Sequence, residues 1–166
     1  MAILTDAARI VLVQYILTRP IHLAIGEGSE EWYNNSGGVP DPPEYDATEL
    51  VHELGRKKLT QSFFVLEDDD GDIDMPGGRK YKQSAEPARN IYLNFAFNYG
   101  EGIEKIIREV GVFIDTQTNS ELPANQTYFQ PEDITHKGTL IMLEHLDDPD
   151  KFTPNKKGSY GTVLTI

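Results

Sequence analysis

Carboxylates are the chemistry-bearing groups this sequence offers in quantity. Six of them crowd into the eight positions from Glu67 to Asp74, a density that invites a calcium reading because Ca2+ is held by oxygen ligands. The spacing does not support it. With Gly71 at the sixth position of an EF-hand loop, the first ligand falls on Leu66 and the twelfth on Gly77, so a solvated hairpin tip is the expectation. Glu101, Glu104 and Glu109 could supply the acid and base of a glycosidase, but nothing in the sequence sets two of them across a cleft. Among 27 acidic residues some pair always looks suggestive. The run Gly26-Glu27-Gly28 lacks the last glycine of a phosphate-cradling loop, and Glu27, Glu30 and Glu31 repel an anion. The histidines His22, His52, His136 and His145 show no short metal-ligand spacing. With no cysteine there is no disulfide, thiolate site or Cys nucleophile. The expectation is a chain that is not an enzyme, with no catalytic residue, no metal and no cofactor.

Surfaces that bind are the alternative to sites that react. The formal net charge is −12 and the Lys and Arg residues are scattered, with no basic run to neutralise successive phosphates, which argues against direct nucleic-acid binding. Such acidity keeps a free subunit soluble and repels other acidic surfaces. Trp32, with Tyr33 and Tyr45, could stack on sugar rings, which keeps a carbohydrate-binding module open as a rival to a protein-docking role.

The elements that must carry these groups are read from periodicity. Hydrophobic residues make up 39% of the chain and charged residues 25%, the balance of a globular protein, and 166 residues suit a single domain, 1–166. Apolar residues at Ile3, Leu4, Ala7, Ala8, Val11, Leu12, Tyr15 and Ile16 recur at helical spacing, predicting an amphipathic helix within residues 1–18, with Thr5 or Asp6 accepting the first free N–H groups. Ile10, Val13 and Leu17 widen the stripe and predict burial, against the chain's own domain or against a neighbouring subunit. Asp6, Arg9 and Gln14 make the segment too polar for a membrane span or a targeting segment. The remainder, 19–166, reads as β. Ile21 to Ile25 predicts a strand, 26–45 a long ordered loop pinned by Trp32, and Ala47 to Leu54 a short helix capped by Asp46 and Glu49. Leu59 to Leu66 and Asp72 to Lys82 predict a hairpin turning at Asp70-Gly71. Ile91, Leu93, Phe95, Phe97 and Tyr99 alternate with polar or small residues and predict a half-buried strand. Val110 to Ile114, Thr139 to Glu144 and Tyr160 to Ile166 complete a mainly β fold. Its expected form is an antiparallel β-sandwich or partly open barrel, with an N-terminal amphipathic helix and one short internal helix.

The run His22-Leu23-Ala24-Ile25-Gly26, Trp32, Asp41-Pro42-Pro43, Ala47-Thr48-Glu49-Leu50 and Glu53 to Lys57, continued through Phe64-Val65, Pro76-Gly78-Arg79, Asn90 to Leu93, Ile107 to Phe113, Leu122-Pro123 and Gln126-Tyr128-Phe129, resembles a family of virion proteins encoded in the tail modules of myophages and related prophages. The resemblance covers nearly the whole chain. It implies a structural component of a contractile tail, in the baseplate beside wedge and fibre-attachment proteins, made in the host cytoplasm. The implied partners are other tail and baseplate proteins and a tail fibre, through contacts for which Ile3, Leu4, Val11, Leu12, Tyr15, Ile16, Trp32, Pro42 and Pro43 are the candidates. The same residues make physical sense: the prolines stiffen the loop, and Gly111 permits close approach or a bulge.

Overall fold

A computed structural model describes residues 1–35, 37–102, 105–148 and 158–166. In chain order the elements are α1 (Asp6–Leu17), β1 (Ile21–Gly26), β2 (Glu53–Lys58), β3 (Gln61–Glu67), β4 (Ile73–Met75), β5 (Arg79–Gln83), β6 (Asn90–Ala96), β7 (Glu109–Ile114), β8 (Gln117–Thr118), β9 (Tyr128–Phe129), β10 (Ile134–His136), β11 (Thr139–His145) and β12 (Ser159–Thr165). The fold is mainly β with antiparallel sheets, as expected, and α1 is the α-helix expected near the N-terminus. Contacts group the chain into two compact units: residues 1–19, 60–94 and 161–166 in one, residues 20–59 and 95–160 in the other.

In the first unit, α1 starts where the Thr5 side chain accepts from Ala8 N at 3.3 Å and stops before Pro20, which disfavours helical geometry at Arg19. Val13 is its one fully buried residue, while Val11, Leu12 and Tyr15 remain exposed. The helix is therefore not buried all round by its own chain. β3 pairs with β6 from Gln61↔Asn94 to Val65↔Asn90, and Val65, Ile91 and Leu93 are wholly buried. The expected hairpin is rearranged. β3 pairs with β5, not with the strand that follows it, and the tight hairpin is β4 with β5. Pro76 pre-sets the turn and Gly77 (φ 82°) and Gly78 (φ 76°) take the left-handed conformations it needs. Asp68 to Gly71 make a turn closed by Gly71 N donating to Asp68 O at 2.8 Å, so the acidic run caps a connection between strands that are not hydrogen-bonded neighbours.

In the second unit the sheet order is β11-β7-β1-β2-β9. All six residues of β1 and of β7 are buried, as their continuous apolar runs require. The expected alternation holds through Phe95 and Phe97, both buried, but ends there: Tyr99 is 87% exposed, beyond the strand in the turn where Glu101 accepts from Asn98. The short helix expected at Ala47 to Leu54 does not form. Val51 and His52 donate their backbone N–H groups to the Glu109 carboxylate at 3.0 and 2.9 Å, and Glu53-Leu54 already belong to β2. A buried long-range acceptor outcompetes a local cap. Gly55 lies in β2 opposite Ile25, where a Cβ would stand 2.4 Å from the Tyr128 hydroxyl. The strands β8, β9 and β10, of two or three residues each, are too short to leave a periodic signature. Residues 149–157, ahead of β12, lie outside the described residues.

Candidate functional site

Two small residues open the place where the long loop is fixed. Ala24 of β1 and Gly111 of β7 face each other in register, and at that point the sheet surface is dented. Leu50 fills the dent, packed with Ala24, Phe113, Leu140 and Leu143. A Cβ on Gly111 would lie 2.7 Å from Leu50 Cδ1 and 2.8 Å from Leu140 Cδ1, so the close approach expected of this glycine is real. Burying Leu50 to 5% exposure contributes about 2 kcal/mol of apolar transfer. Beneath it Glu109, fully buried, holds the adjoining backbone through the two hydrogen bonds already described.

The other end of the loop is clamped to β11 and its flank. The Trp32 and His145 rings stack at 3.8 Å with an interplanar angle of 7°. His145 Nδ1–H donates to Asp41 O at 2.6 Å, which fixes its tautomer. Tyr33 donates its hydroxyl to Leu146 O at 2.6 Å, and burial raises its pKa. Arg108 bridges Glu30 Oε1 at 2.7 Å and Glu27 O at 3.2 Å. The side chain of Asn35 donates to Trp32 O and Val39 O. Trp32 is thus the pin expected of it, although its partner, 113 residues away, carried no local signal.

Between clamp and dent lies a cleft of about 600 Å³, with Trp32 and His145 at one side, Leu50 and Leu143 below, and Asp41, Pro42, Glu44 and Asp46 around it. A second cleft of about 390 Å³ shares Pro42, Glu44, Ala47 and Leu143 with the first and adds Pro43, Tyr45 and Leu140. Trp32, Pro42 and Pro43 therefore come together in one region. Ile3, Leu4, Val11, Leu12 and Tyr15 are exposed on or just before α1, and Ile16 is half-buried. They belong to the other unit. Sequence reasoning missed His145, Asp41, Glu44 and Asp46; the Asp41-Pro42-Pro43-Glu44 run was the available cue, an acidic rim on a stiff loop.

The carboxylates weighed as catalytic are committed elsewhere. Glu109 spends both oxygens on backbone N–H groups. Glu101 accepts from Lys57 Nζ at 2.5 Å and from the backbone and side chain of Asn98; burial raises its pKa, but these hydrogen bonds and the lysine charge leave it below the usual carboxylate range. Glu104 lies outside the described residues. Of the histidines, His22 is buried with no partner for Nδ1 among the described residues, edge-on to Phe129 at 5.7 Å. Its pKa is lowered to about 4 by burial, with Arg56 and Lys58 adding to the effect. Arg56, 1% exposed, is paid for by Glu53 (2.7 and 3.0 Å), Thr116 (2.7 Å), the Lys137 carbonyl and the Phe113 face at 3.7 Å. These are structural ties.

A family model described as "Baseplate wedge 3 tail fiber network component" matches residues 1–166. The chain belongs to that family. A comparison with curated proteins finds no match. Family membership makes the chain a structural component of a phage baseplate, located in the virion tail among other tail proteins. Among the described residues no helix is long and apolar enough to cross a membrane.

Proposed function

We propose that this baseplate wedge 3 family member is a non-enzymatic docking subunit of a contractile tail, associated with the wedge or with fibre attachment, and that it works by protein contacts through the α1 stripe and the Trp32–Pro43 loop. The observation that carries this reading is the exposed apolar surface of α1 and its lead-in: Ile3 77%, Leu4 48%, Val11 62%, Leu12 43% and Tyr15 56%. A helix with apolar groups on both its buried and its outward side is matched to a second partner. Only Asp6 and Arg9 within α1 are charged, so this patch escapes the repulsion that a net charge of −12 imposes elsewhere. The commitments of Glu101 and Glu109 support the absence of catalysis.

The test is a Val11→Asp, Tyr15→Asp variant supplied in an infection. Both side chains are exposed, so an unchanged Tm is expected together with loss of the protein from purified virions. Normal incorporation of the folded variant overturns the reading. For the carbohydrate rival, Trp32 has one ring face against His145 and the Tyr33 hydroxyl is bonded to Leu146 O, whereas Tyr45 is fully exposed.

A further inference from the structure

We infer that the cleft beside Trp32 receives an arginine carried on an extended segment of a neighbouring tail protein. This deepens the docking reading and rests on it. Asp41, Glu44 and Asp46 stand around the cleft, and none of the three has a cationic partner among the described residues, whereas nearby Glu49 is paired with Lys137. Uncompensated negative charge beside low-dielectric walls focuses field and draws a cation. A metal ion is not the match, because among the described residues no group of three His, Cys, Asp or Glu converges on one point. Carboxylates spread around a rim suit an extended organic cation instead.

The rest of the lining selects among such cations. Leu50 and Leu143 offer an apolar floor along which an aliphatic stem can lie while its charged head reaches the rim. Trp32 adds an aromatic wall, and a planar guanidinium both stacks on such a wall and forks toward carboxylates, which an ammonium does not. A second cleft, lined by Pro43, Tyr45 and Leu140, adjoins the first and shares Pro42, Glu44, Ala47 and Leu143 with it. That adjacency calls for a segment with an apolar residue beside its arginine, more than for an isolated small molecule.

The chain has one tryptophan, so its fluorescence reports the cleft directly. Full-length protein is titrated with an acetylated, amidated peptide bearing one arginine flanked by leucines, with the same peptide carrying lysine or the uncharged isostere citrulline, and with a neutral oligosaccharide. The arginine peptide is expected to shift the emission, binding at least several-fold tighter than the citrulline form, and to weaken with added salt. Glu44→Gln with Asp46→Asn is expected to weaken it by about three- to ten-fold at unchanged Tm. No response at millimolar arginine peptide, equal binding of the citrulline form, or a response to the oligosaccharide alone each overturns the proposal. Virion incorporation separates the two levels: if peptide binding fails while the α1 variant is still excluded from particles, the cleft assignment falls and the docking reading stands.

Discussion

Replacing Leu50 and Gly111, singly and together, probes how the loop is held. Leu50→Ala removes most of a side chain that is 95% buried in the Ala24–Gly111 dent. Deletions of this kind cost roughly 2–5 kcal/mol, and a loop segment can slump into the hole, so a value near the lower end, about 2–3 kcal/mol, is expected. Gly111→Ala places a methyl 2.7 Å from Leu50 Cδ1 and 2.8 Å from Leu140 Cδ1. Both are ends of flexible side chains, so they can yield, at about 1–2 kcal/mol of overpacking. In the double variant the new methyl enters space that Leu50 has vacated, and only the Leu140 contact remains tight. The combined loss is therefore expected to fall short of the sum by about 1 kcal/mol. Urea unfolding followed by Trp32 fluorescence, with far-UV circular dichroism alongside, measures this in the unit that holds all three residues. Losses that add to within about 0.4 kcal/mol would show that Leu50 and Gly111 do not share one packing site.

Three further outcomes follow from the buried groups. His22, whose pKa falls to about 4 on folding, stays neutral in the folded state while the unfolded chain protonates at its ordinary value of about 6.5. Its contribution is complete above about pH 6.5 and is lost as pH falls toward 4, by on the order of 3 kcal/mol; His22→Gln should flatten that part of the stability profile relative to the native chain, and parallel profiles would refute the assignment. Truncating Phe95 or Phe97, 0% and 1% exposed, to Ala should cost roughly 3–5 kcal/mol in chemical denaturation, and a loss under about 1 kcal/mol at both would invert the strand faces. Arg56→Met should destabilise strongly by stranding Glu53, by about 3 kcal/mol or more, and joining it with Glu53→Leu should restore most of the loss; an unrescued double variant would mean that the Thr116 and Lys137 contacts dominate.

What could be read from the sequence was what period and punctuation encode. The alternation from Ile91 to Phe97, the apolar runs of β1 and β7 and the Thr5 start of α1 all appear in the structure, because each is decided by neighbours a few residues away. The segment 47–54 was misread for the opposite reason. Its local cues favour a helix, yet the winning interactions, Glu109 beneath Val51 and His52 and the Ala24–Gly111 dent under Leu50, come from distant parts of the chain. The same holds for the hairpin. Asp70-Gly71 has the right turn chemistry, but β5 pairs on both its edges and so displaces β4 from β3. Trp32, Pro42 and Pro43 were identifiable as loop stiffeners; the stacking partner His145 and the acidic rim required the tertiary fold.

Location in the particle tests the account most directly. A docking subunit of a baseplate ring is present at a copy number set by the rotational symmetry of that ring, and its acidic surface opposes extended self-stacking. Quantitative mass spectrometry of intact, purified virions measures that number against other tail proteins. The account predicts a small multiple of the baseplate symmetry, unchanged among phages whose tails differ in length. A copy number that scales with tail length, as a tube or sheath protein requires, would contradict it.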